Sequence, residues 1–155
     1  WHIKGKLGFK SSNQGGSASI DWVQREKQYQ ISMSGPFASG RATIKGDERV
    51  AQMQRGKQYY SDAPQDLALK LTGLSLPVND LVWWAKGIPS PHQPLIKNLK
   101  LTPNGVATEF EQDGWQLIFS RYQVTGQGNL PNKIIGQRGQ QSFTLVISSW
   151  RFPSN

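Results

Sequence analysis

The chain has no cysteine, and only two histidines and two methionines among its 155 residues. Without cysteine it can form no disulfide, no thiol nucleophile and no zinc–thiolate site of its own. His2 stands at the beginning and His92 lies in a proline-rich stretch. Nothing brings the two together, so neither a histidine dyad nor a two-histidine metal site is expected. No apolar run approaches the ~18 residues of a membrane-spanning helix. Gly5-Lys6-Leu7-Gly8 and the glycines of residues 35–40 lack the spacing, and the following helix, of a nucleotide-binding loop. Charged residues are sparse at 18%. The sequence starts on Trp1 and not on methionine, as expected of a processed or trimmed product whose upstream signal or anchor is out of sight.

What is present is an alternating, glycine-rich chain. Its length suits one domain of ~100–200 residues. Sixteen glycines and nine prolines indicate frequent turns. Lys plus Arg is 18 and Asp plus Glu is 10, a net charge of +8. The basic residues are scattered (Lys4, Lys6, Lys10, Arg41, Lys45, Lys97, Lys100, Arg138) and form no run. The excess serves solubility or meets an acidic partner: nucleic acid, anionic lipid or an acidic protein.

Ile3, Leu7 and Phe9 alternate with lysines and glycines. Ala18, Ile20 and Trp22 do the same, as do Tyr29, Ile31 and Met33, and then Ala42 and Ile44. A period of two gives each strand one apolar and one wet face, the mark of antiparallel strands covered on one side. Residues 13–16, 25–27, 35–40 and 46–48 have turn compositions. After Tyr60 the period changes. Ser61-Asp62-Ala63-Pro64 predicts a helix start with a small polar cap; Leu67, Leu71 and Leu74 recur at helical spacing, and Gly73 ends the helix. A second helix is predicted from about 77–80, with Leu81, Trp84 and Ala85 on one face, stopped by Gly87 and Pro89. Trp83 cannot share the face of Trp84. Residues 90–94 read as an extended crossover. Alternation then resumes through Leu99, Leu101, Val106, Thr108, Phe110, Trp115, Leu117 and Phe119. Thr125–Pro131 reads as a loop, and Ile134, Ile135, Phe143, Leu145 and Ile147 complete the pattern. About ten or eleven strands result. So long a meander is expected to curl into a barrel or half-barrel, with the two helices over its open apolar face.

Chemistry is hard to find in this pattern. Glu109 and Glu111 flank Phe110 and share a strand face, but a surface pair explains them better than a glycosidase dyad. No enzyme is indicated. A single-stranded nucleic-acid-binding barrel would expose aromatics between basic residues. Here the aromatics sit in phase with Ile and Leu, which favours a packed core or an apolar cavity, as in a lipocalin-like carrier of a small apolar ligand.

Several motifs taken together carry a resemblance. Gly35-Pro36-Phe37 lies between two alternating strands; Leu71-Thr72-Gly73 precedes Leu76-Pro77-Val78, Leu81, Trp84 and Gly87-Ile88-Pro89. Gln112 precedes Gly114-Trp115; Arg121-Tyr122, Leu130-Pro131 and Trp150 follow. Over nearly its whole length, residues 1–155, the chain resembles the outer-membrane lipoprotein receptor family LolB, most specifically from Leu76 to Pro89. The family's lipid-modified amino-terminal cysteine and the short helix after it are missing. Where the family often has Pro-Leu-Gly, this chain has Pro36-Phe37-Ala38.

The resemblance implies a mainly β fold, an unclosed antiparallel half-barrel with a short helical lid over a hydrophobic cavity. It implies a monomer without catalytic residues, metal, cofactor or nucleic-acid partner. Such a receptor sits at the periplasmic face of the outer membrane, accepts acylated lipoproteins from the periplasmic carrier LolA and delivers them to the membrane's lipid surface. On this reading Ile20, Trp22, Ile31, Met33, Leu117 and Phe119 line the acyl-chain cavity. Leu67, Leu71, Leu81 and Trp84 belong to the lid. Gly35, Pro36 and Phe37 form a membrane-insertion loop.

Overall fold

The computed structural model describes residues 1–35 and 40–153. The strands are β1 (His2–Lys10), β2 (Gly15–Arg25), β3 (Gln28–Gly35), β4 (Gly40–Gly46), β5 (Ala51–Arg55) and β6 (Gln58–Asp62). Two helices follow, α1 (Pro64–Thr72) and α2 (Val78–Trp84). The second half contributes β7 (Lys97–Leu101), β8 (Ala107–Gln112), β9 (Trp115–Ser120), β10 (Gln123–Thr125), β11 (Gly128–Leu130), β12 (Lys133–Arg138) and β13 (Gln141–Arg151).

Eleven strands form one antiparallel sheet in the order β6-β5-β4-β3-β2-β1-β13-β12-β9-β8-β7, and it ends in free edges at β6 and β7. The remaining two, β10 and β11, make a separate ribbon that begins two residues before the stretch Thr125–Pro131, which sequence alone reads as a loop, and runs into it. Three-residue strands are too short for an alternating pattern to show, so only the turn residues between them were visible.

The sheet closes at its middle through β1 and β13, the first and last strands of the described chain. Their register shifts between Lys4 and Gly5, so that Ser148 is an extra residue on β13. Its hydroxyl donates to the Lys4 carbonyl at 2.9 Å. This bulge reverses the phase of β13. Phe143, Leu145 and Ile147 face the core at odd positions, whereas the half-buried Trp150 rejoins it at an even one, opposite Ile3.

Both helices are short, and isolated helices of this length are not stable in water. They persist because Leu67, Ala68, Leu71, Val78, Leu81 and Trp84 pack on the apolar face of the sheet within one buried cluster. The α1 cap differs from expectation. The cap residue is Ala63, which has no capping side chain; the Asp62 carboxylate instead accepts the Ala63 N–H at 2.8 Å, and Pro64 opens the helix. Gly73 ends it at φ 80°, a left-handed backbone that suits glycine, and donates its N–H to Leu69. α2 stops at Trp84, and residues 85–87 form a turn that carries the chain away.

Candidate functional site

The apolar interior comes directly from the alternation. Ile20, Trp22, Ile31, Met33, Leu117 and Phe119 all point to the face that the helices cover. Leu67, Leu71, Leu81 and Trp84 descend onto it, and the structure brings all of these into one buried cluster. Phe119 stacks on Phe110 with ring centroids 4.9 Å apart. Trp83 is half-buried, with the Lys86 ammonium 5.1 Å from its ring centroid. Of the residues read as a membrane-insertion loop, Gly35 ends β3, while Pro36 and Phe37 lie outside the described residues.

A polar knot is buried between α2, the crossover that follows it and β8. Asp80 is 4% exposed, Ser90 2% and Gln112 1%. The Gln112 side-chain oxygen accepts the Trp84 indole N–H at 2.8 Å and the Ser90 backbone N–H at 2.7 Å. Its amide donates to the Ser90 carbonyl at 3.1 Å. The Ser90 hydroxyl donates to Asp80 at 2.6 Å, and the Gln93 amide donates to the other Asp80 oxygen at 3.0 Å. Removing such groups from water is tolerable only when they are paired, and here they pair with one another, with the His92 N–H adding a bond to the Ser90 hydroxyl oxygen at 3.2 Å. Sequence reasoning passed over the knot because it sought apolar periodicity. The available signal was Asp80, one helical turn before Trp84 and so on the same buried face.

Further ties run from the helical cover to the other half of the sheet. The Asn79 amide donates to the Glu48 carbonyl at 2.8 Å, and His92 lies 3.3 Å from the Glu48 carboxylate. α2 and its crossover therefore bridge the β4–β5 turn and β8, across the mouth of the open sheet. His2 has a carboxylate of its own, Asp21 on the neighbouring strand, at 2.7 Å.

At the end of the half-barrel where β1 begins and β13 finishes, a groove of about 640 Å³ stays open. Ile88 forms one wall, Leu99 and Leu101 of β7 another, and Val106, Tyr122 and Leu130 line the remainder. Trp1 and Phe152 border it. Trp1 belongs to a run of aromatic contacts, 5.4 Å from Trp22 and 5.6 Å from Trp150. None of the cavity and lid residues named from the sequence lines this groove. The Tyr122 hydroxyl donates to the Ala107 carbonyl at 2.6 Å, and burial pushes its pKa up to about 12. Burial also raises the pKa of Tyr29, under the helical cover. Both hydroxyls remain neutral at any physiological pH, so neither adds charge to this end.

Residues 1–150 match the family described as outer membrane lipoprotein LolB. The chain belongs to the LolB family. The outer-membrane lipoprotein LolB of Cellvibrio japonicus is 36% identical over 157 residues, covering 97% of this chain and 77% of that protein. Its counterpart in Pseudomonas aeruginosa PAO1 is 33% identical over 153 residues, covering 97% and 74%. The chain also superposes on the crystal structure of a LolA superfamily protein from Nitrosomonas europaea. The TM-score is 0.61 at 7% identity, over 98% of this chain and 87% of that one. At that identity the likeness speaks for the fold, an unclosed sheet covered by helices.

Proposed function

We propose that this LolB-family chain is an outer-membrane lipoprotein receptor that accepts acylated lipoproteins from the carrier LolA and passes them to the membrane. The observation that supports it best is a continuous apolar sheet face roofed by two short helices, in a chain matched over residues 1–150 by the LolB family. Residues 1–155 work as one lipoprotein-binding unit, as a monomer and without chemistry. The cavity forms when the helices lift and uncover Ile20, Trp22, Ile31, Met33, Leu117 and Phe119, while Leu67, Leu71, Leu81 and Trp84 move with the lid.

The energetics suit transfer and not diffusion. Three acyl chains hold on the order of 45 methylenes, and wetting them at ~0.8 kcal/mol each costs roughly 36 kcal/mol. Passage between two apolar interiors avoids that cost, so a modest difference in affinity sets the direction.

A triacylated lipopeptide is expected to bind at one per chain, with an affinity that does not change with salt, because burial of hydrocarbon releases no counterions. Native mass spectrometry with titrations at low and high ionic strength checks this. Salt-sensitive binding of single-stranded DNA with no retained lipopeptide would reverse the reading. For the segment around Phe37, Phe37→Glu is expected to leave acceptance from the carrier intact and to block insertion into liposomes, whereas Phe37→Leu is tolerated. Loss of acceptance with insertion preserved would make that segment structural.

A further inference from the structure

We propose that the end groove is a separate acyl site, which takes one acyl chain of an incoming lipoprotein before the helical cover opens. This rests on the receptor reading above. The groove is open while the interior is closed: Leu101 is 55% exposed, Leu99 47% and Ile88 43%, whereas Trp22 is 1% and Trp84 0%. Large apolar side chains grouped on a concave surface mark a binding site more often than scattered ones do. The volume of about 640 Å³ falls within the ~300–1,000 Å³ of ordinary ligand clefts.

The lining selects hydrocarbon. Among the described residues Lys86 is the one charged side chain on its walls. The Tyr122 hydroxyl is already committed to the Ala107 carbonyl. Gln127 and Asn129 add two neutral amides, and the other large side chains, Ile88, Leu99, Leu101, Val106, Leu130 and Phe152, offer hydrocarbon contact that suits an acyl chain.

Position selects the source. Trp1 and Tyr122 line the groove and also pack against the buried cluster, and Ala107 belongs to both. The groove therefore adjoins the interior, with these residues as the partition between them. The strand ends Gly35 and Gly40, which flank residues 36–39, lie at the opposite end of the sheet from Trp1. If that segment meets the membrane, the groove faces away from it, toward arriving cargo. The wall also has a mechanical link. Gly87, Ile88 and Pro89 run directly into Ser90, whose N–H and carbonyl are both held by Gln112. A chain wedged against Ile88 pulls on the bonds that hold α2 down.

The test uses a triacylated lipopeptide with a photoactivatable group in one acyl chain, mixed with the whole protein. Early cross-links are expected within residues 86–89 and 99–101. Leu99→Asp combined with Leu101→Asp changes two exposed positions on an edge strand; it is expected to remove those cross-links and to weaken lipopeptide binding on the order of tenfold. Cross-links confined to β2, β3 and β9, with affinity unchanged in the variant, would overturn the groove while leaving the receptor reading standing. So would a variant that takes up lipopeptide normally but no longer binds phosphatidylglycerol vesicles, since the groove would then be a membrane contact. Absence of any lipopeptide binding by the unaltered protein would instead sink the receptor reading itself. The cross-link map of the unaltered chain decides between these outcomes even if the double variant does not fold.

Discussion

Gln112→Leu is expected to destabilise the protein by about 3 kcal/mol or more, because each buried polar group left without a partner costs ~1–3 kcal/mol. Four groups lose their partner at once: the Trp84 indole N–H, the Ser90 N–H, the Ser90 carbonyl and, at 3.4 Å, the part-buried Gln93 carbonyl. Leucine is close enough in size that lost volume contributes little. The loss should also be local as well as global. α2 is held by this knot at one side and by the Asn79–Glu48 bond at the other, so amide exchange in residues 78–90 is expected to speed up more than exchange in β1 or β13. Urea denaturation with hydrogen-exchange mass spectrometry measures both. A loss below about 1 kcal/mol, with α2 as protected as before, would mean that apolar packing alone holds the cover shut.

Gly5→Val is expected to cost about 3 kcal/mol, at the upper end of overpacking effects. Gly5 sits at the β1–β13 bulge, where a Cβ would run into the carbonyl oxygen of Val146. That obstacle is backbone in the middle of the sheet and cannot swing aside as a side chain could. Gly8→Ala on the same strand is the control. Its Cβ would find nothing nearer than the Thr144 carbonyl at 3.9 Å, so the change should stay within about 0.5 kcal/mol. Equal urea midpoints for the two variants would show that the bulge relaxes freely.

The contrast between these glycines shows what the sequence could and could not reveal. Alternation exposed β2 and β3 almost residue by residue, since each has one face in the core and a phase that never breaks. The same pattern placed Ile20, Trp22, Leu117 and Phe119 indoors, and helical spacing did so for Leu67 and Leu81. Periodicity carries no register, however. Ser148 looks like any other serine of an alternating strand, and only pairing with β1 makes it a bulge. The knot was hidden for another reason. Asp80, Ser90 and Gln112 lie far apart in the chain and are polar, and their burial follows from mutual bonding that no single position announces. The end groove was hidden because its walls come from the helix turn, an edge strand and the β10–β11 ribbon, elements that share no pattern.

Joining β1 to β13 at the centre of the sheet has a consequence for biosynthesis. Of the strands described, the one that completes the middle is made last and, in a chain exported amino-terminus first, emerges last. Until it arrives, β6 through β1 and β12 through β7 are two separate meanders. Each presents a long unpaired edge and an uncovered apolar face, the state in which chains most readily pair with the wrong neighbour. Pairings so distant in sequence also close slowly, because a large loop must be ordered before any contact repays it. The newly made chain therefore spends its most adhesive interval waiting for β13, and that strand converts two half-sheets into one surface on which the helices can settle.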